Sequence, residues 1–174
     1  MRHKAVSFPP IATKKSRVLI LGSMPGIKSL ELQQYYAHPQ NKFWRIMSAL
    51  FMESIDTYKD RVFLIKFCNL ALWDVLKCCE RHGSLDIRID SKTIEVNDFA
   101  VFFKKYPAIT HVFFNGTKAE QEFKKRVLPD LPESLRKKLK FSRLPSTSPA
   151  MASLSESKKF SAWTAVRRAV LTHR

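Results

Sequence analysis

Short unbroken apolar runs alternate along this chain with stretches whose apolar residues recur every three or four positions. The run Val18-Leu19-Ile20-Leu21 has no polar interruption, which predicts a strand over residues 17–21 buried on both faces. Phe43, Trp44, Met47, Leu50 and Phe51 then fall on an i, i+3, i+4 stripe, predicting a helix over residues 41–52 with Pro39 just ahead of it. Residues 62–71 are again mostly apolar and read as a second strand, continued by Trp73-Asp74-Val75-Leu76. Asn97-Asp98 suits the cap of a helix over residues 99–106. Residues 111–114 read as a short buried strand ended by Asn115-Gly116, after which Thr117 can cap a helix over 118–127. A strand over 140–144 follows, and serines with Glu156 open a last helix over 157–171.

Strands alternating with helices through short loops imply a parallel sheet covered on both faces. The expected architecture is a three-layer α/β/α sandwich around a central four-stranded, mostly parallel sheet. A length of 174 residues suits one domain. Residues 1–16, basic and containing Pro9-Pro10, read as a lead-in segment before a single domain over 17–174. Gly22, Gly26 and Gly116 follow predicted strands, the edge at which open α/β sheets bind ligands, whereas Gly83 reads equally well as a simple turn. Neither a GxGxxG pattern nor a Walker-type phosphate loop occurs.

Charge changes the picture. A net charge of +16 is tolerable when a polyanion is the natural partner, although general basicity or solubility would also account for it. No apolar run approaches the ~20 residues of a membrane span, and no signal-peptide core follows the basic N-terminus, so an intracellular location (cytoplasm, nucleoid or nucleus) and no membrane partner are expected. Cys68, Cys78 and Cys79 do not have the spacing of a zinc or iron–sulfur site. They read as reduced thiols, and neither a metal nor another cofactor is implied.

Three segments carry the candidate chemistry: Gly22-Ser23-Met24-Pro25-Gly26 after the first strand, Ala37-His38-Pro39-Gln40-Asn41-Lys42-Phe43-Trp44, and Leu144-Pro145-Ser146-Thr147-Ser148-Pro149-Ala150. Together they resemble the uracil-DNA glycosylase superfamily, across roughly residues 15–170, and most nearly its hypoxanthine-DNA glycosylase branch. Arg81-His82-Gly83-Ser84-Leu85-Asp86 is similar to a stretch of the same branch. The resemblance implies hydrolysis of the N-glycosidic bond of a deaminated base in DNA, with water rather than a lysine amine attacking the sugar.

Cleaving that bond requires the base to leave the stack, its departing charge to be stabilised and water to be guided to the sugar. Gly22, Ser23 and Met24 form the expected base-binding loop, where many superfamily members carry Asp or Asn at the Met24 position to place the water. That polar function then passes by resemblance to Asn41, which could equally cap the following helix. His38 is a candidate general base or a hydrogen-bonded turn residue. By resemblance to mismatch-specific glycosylases, Tyr36 stacks on the flipped base, while Tyr35, Phe43 and Trp44 read as core. Asn69 is a candidate reader of the base edge, which would leave room for uracil as substrate.

Leu144 stands where the superfamily's second loop usually begins with His or Asn. Ser146, Thr147 and Ser148 suit phosphate contacts, or else only a solvated turn, and Met151 suits the wedge that fills the vacated stack. Ser29 and Lys118 are further phosphate-contact candidates. A DNA-binding module that has lost catalysis is the competing reading, supported by Met24 and Leu144. Monomeric action on DNA containing deaminated bases is expected.

Overall fold

The computed structural model describes residues 3–151 and 154–172. Its centre is a four-stranded sheet built from β2 (Val18–Gly22), β3 (Leu70–Asp74), β6 (His111–Asn115) and β7 (Lys140–Leu144). The strands run in the order β3-β2-β6-β7 and every neighbouring pair is parallel. Val18 to Leu21 and Leu70 to Leu72 have no exposed surface, as expected for strands covered on both faces. The flanking helices are α1 (Ile27–Leu32), α2 (Phe43–Phe51), α3 (Tyr58–Phe67), α4 (Phe99–Lys105), α5 (Thr117–Arg126), α6 (Glu133–Lys138) and α7 (Glu156–Leu171). The three-layer arrangement is the one expected from sequence. No helix among the described residues is long and apolar enough to cross a membrane.

The structure departs from the expected elements in several places. Residues 58–67 form α3, not the start of a strand, because Thr57 and Asp60 build a reciprocal capping box: Asp60 N–H donates to Thr57 Oγ1 and Thr57 N–H to Asp60 Oδ2. The strand begins only at Leu70, after Asn69 has turned the chain in the left-handed region at φ 56°. A smaller error concerns α5, whose cap position is Gly116 at φ 97°, with Thr117 already inside the helix.

A second, antiparallel sheet was not foreseen. It has the order β1-β4-β5, from β1 (His3–Val6), β4 (Leu76–Arg81) and β5 (Glu95–Val96). Part of the segment read as a basic lead-in is therefore integral to the fold. Ala5 is fully buried opposite Cys79. Further on, Ile11 and Leu72 exchange two backbone hydrogen bonds of 2.9 Å, closing the outer edge of β3.

Candidate active site

The carboxyl ends of the parallel strands converge. Gly22 is in register with Asp74, and Asn115 with Leu144. Gly22, Asp74 and Asn115 line a cavity of about 640 Å³, a size typical of small-molecule sites. The loop after Gly22, the loop before α2, the loop after β7 and the start of α5 complete its wall.

The residues 81–86 explain how the first loop keeps its shape. The Arg81 guanidinium, 1 % exposed, donates to the Pro25 carbonyl. Ser84 Oγ accepts from Ile27 N–H at 3.0 Å, and Ser23 Oγ donates to Asp86 Oδ2 at 2.7 Å. This segment thus clamps residues 23–27 from outside. Met24 is buried and lines the cavity, and its thioether cannot orient water as a carboxylate or amide would.

Asn41 precedes Lys42, the cap residue of α2, and braces the turn into the helix while lining the cavity. Its Oδ1 accepts from Phe43 N–H at 3.0 Å, and its own N–H donates to the His38 carbonyl at 2.9 Å. The bond to Phe43 fixes the plane of the amide, while one lone pair of Oδ1 remains beyond that bond. His38 is exposed at the rim, where its Nδ1 accepts from Gln40 N–H at 3.2 Å. The imidazole is therefore both a turn brace and a cavity-lining group.

Tyr36 lies on the cavity wall with its ring stacked on Phe43, centroids 4.0 Å apart. Its backbone sits at φ 52°, a left-handed conformation that costs a bulky residue about 1–2 kcal/mol. Burial, followed by the Asp74 carboxyl, keeps its phenol firmly neutral. Tyr36 Oη and Asp74 Oδ2 are both buried without a hydrogen-bond partner among the described residues. Burial, then the neighbouring Asp86 carboxyl, pushes Asp74 up to about 8 against the opposing charge of Arg81. Asp86 is itself raised, chiefly by burial.

The second loop divides into two parts. Thr147 is fully buried: its Oγ1 accepts from Asn115 Nδ2 and its N–H donates to Asn115 Oδ1, both at 2.9 Å. Its carbonyl accepts from Lys42 N–H at 3.0 Å, joining this loop to the Asn41 segment. Thr147 is thus an internal brace whose hydroxyl oxygen accepts from Asn115 while the residue lines the cavity. Ser146 and Ser148 are half-buried, line the cavity and make short serine turns, with Oγ atoms accepting from Ser148 N–H and Ala150 N–H. Met151 is 39 % exposed at the cavity rim. Ser29 is buried, its Oγ accepting from Ala37 N–H at 3.1 Å, so it too braces a loop. Lys118 lines the cavity but is held at 2.7 Å by Glu122.

Asn69 does not join the site. It lies at the amino end of β3, opposite the edge that carries the cavity, and its carbonyl accepts from Arg17 N–H. The residue that ends β3 at the cavity is Asp74, which the sequence reading left as part of a strand. Asn115, read only as a strand breaker, also belongs to the wall. Among the described residues no group of three or more His, Cys, Asp or Glu could hold a metal ion.

The family profile described as "Uracil DNA glycosylase superfamily" matches residues 9–171. The chain is 37% identical over 118 residues to a hypoxanthine DNA glycosylase from Methanosarcina barkeri, covering 67% of this chain and 73% of that protein. It is 36% identical over 114 residues to a hypoxanthine DNA glycosylase from Methanosarcina acetivorans, covering 64% and 71% of the two chains. A solution NMR structure from M. acetivorans, provisionally designated a uracil DNA glycosylase, superposes with a TM-score of 0.79 at 30% identity. That match covers 97% of this chain and 99% of the other.

Proposed function

The chain belongs to the uracil DNA glycosylase superfamily, and on that premise we propose that it excises hypoxanthine, and secondarily uracil, from DNA as a monomer inside the cell. It is a DNA glycosylase acting on deaminated bases. The observation that carries the reading is the convergence of Asn41, the 22–26 loop and the serines after β7 on one cavity at the sheet's carboxyl edge.

The chemistry follows from that placement. An extruded base enters the cavity beside Tyr36, whose ring offers a stacking surface worth roughly 1–3 kcal/mol. Asn41 Oδ1, held in place by Phe43 N–H, accepts a hydrogen bond from a water molecule and directs it at the sugar carbon. Its NH2 group remains for the sugar or the base. Ser146 and Ser148 contact phosphates flanking the extruded nucleotide, and Met151 fills the gap it leaves in the stack. The C–N bond breaks with its electron pair going to the base, water supplies the sugar hydroxyl, and an abasic site results.

A binding module without catalysis has less support. Leu144, one of the two substitutions that suggested it, is buried in the core at the end of β7 and does not line the cavity. The test is excision from labelled oligonucleotides carrying one hypoxanthine, uracil, xanthine or mismatched thymine, with alkali to reveal abasic sites. Strand cleavage chiefly at hypoxanthine is expected. Tight, salt-sensitive binding with no cleavage of any of the four would favour the binding module.

A further inference from the structure

Water attack directed by Asn41 leaves one buried titratable group of the cavity without a task. Asp74 ends β3 beside Gly22, is 3 % exposed, and has an Oδ2 with no hydrogen-bond partner among the described residues. An unpartnered carboxylate out of water is strongly disfavoured, and such a group takes up a proton instead. Of the charged groups near it, the Asp86 carboxyl from the segment after β4 favours protonation and the Arg81 guanidinium from β4 opposes it. Tyr35, Tyr36 and Tyr58 also sense Asp74, and all three phenols are raised by burial and so remain neutral. With its carboxyl pushed up to about 8, Asp74 carries a proton at neutral pH.

We propose that the Asp74 carboxyl is the general acid that protonates the departing purine, an inference that rests on the glycosylase reading above. Hypoxanthine leaves with the electron pair of its bond to the sugar, and a proton from the Asp74 carboxyl, which lines the cavity, to a ring nitrogen makes the departing base neutral. Water adds its oxygen to the sugar carbon and releases a proton to solvent, from which the Asp74 carboxylate recovers its own. The sum is simple hydrolysis, with no other reactant consumed. Uracil spreads its departing charge over two carbonyls and needs the acid less. 5-Fluorouracil, whose anion is more stable still, needs it least.

The test is single-turnover excision of hypoxanthine, uracil and 5-fluorouracil from duplex DNA, by wild type and Asp74→Asn, from about pH 5 to about pH 10. For hypoxanthine the wild-type rate is expected to fall about tenfold per pH unit above about pH 8. Asp74→Asn is expected to lower that rate at neutral pH by about 10²–10⁴-fold and to abolish the alkaline limb. It should slow 5-fluorouracil release far less and leave affinity for a duplex with an abasic analogue unchanged. An equal loss on all three bases, or an unchanged hypoxanthine profile, overturns the acid role while leaving the glycosylase reading intact. Should the variant not fold, the wild-type profiles decide: an alkaline limb shared equally by hypoxanthine and 5-fluorouracil also overturns it. No excision by wild type removes the glycosylase reading and this inference together.

Discussion

A side chain at position 22 has nowhere to go. A Cβ there would lie 2.4 Å from Asp74 Oδ1 and 2.9 Å from Tyr36 Oη, so the glycine is what lets these two groups converge. Gly22→Ala is expected to force Asp74 and Tyr36 apart, costing about 1–3 kcal/mol as overpacking and lowering hypoxanthine excision more than tenfold. Thermal melting and single-turnover kinetics check both effects; wild-type rates in a folded variant would contradict the account. At this scale the sequence was partly legible. Gly22, Ser23 and Met24 could be singled out because glycines after a buried strand leave a local signal, whereas Tyr36 and Asn41 were reached through the family resemblance of the segment around residues 37–44. Asp74 left none. Its place depends on where β3 begins, and the apolar run before it hid that boundary, so the sequence pointed to Asn69 instead.

The elements that position the site are joined through a few side chains. Thr147 links β6, β7 and the segment before α2 by three hydrogen bonds, and Asn97 Nδ2 donates to the carbonyls of Asp74 and Leu76 where the chain passes from one sheet to the other. Thr147→Val keeps the shape but leaves Asn115 Nδ2 without its acceptor, at a cost of about 1–3 kcal/mol. A lower melting temperature with DNA affinity nearly unchanged is expected. A large loss of affinity without loss of stability would return Thr147 to the role of a phosphate ligand. The mistaken strand over residues 62–71 has a physical origin at this same scale. Phe63 and Phe67 of α3 stack on each other at 5.4 Å but are 64% and 65% exposed, so α3 has no clean buried stripe. Its true signal was the capping box at Thr57 and Asp60, not its hydrophobic period.

For the molecule as a whole, the net charge of +16 sets the response to salt. Affinity for undamaged duplex is expected to fall linearly on a log–log plot, with a slope of about −0.9 for each phosphate neutralised. Titration by fluorescence anisotropy at several ionic strengths measures it, and a flat response would remove the polyanion argument. The parallel sheet was legible because continuous apolar runs of strand length have few other uses. The antiparallel sheet was not, since β1 pairs with a strand more than seventy residues away and has only four residues of its own. The family profile begins at residue 9, so β1 lies outside the matched region as well.

The central claim is that Asn41 directs water in a DNA glycosylase, and the most direct measurement compares Asn41→Ala with wild type for hypoxanthine excision and for DNA binding. The account predicts a rate lower by about 10²-fold or more, with affinity for the same duplex within a few-fold of wild type. An Asn41→Ala protein that excises hypoxanthine at the wild-type rate would contradict it.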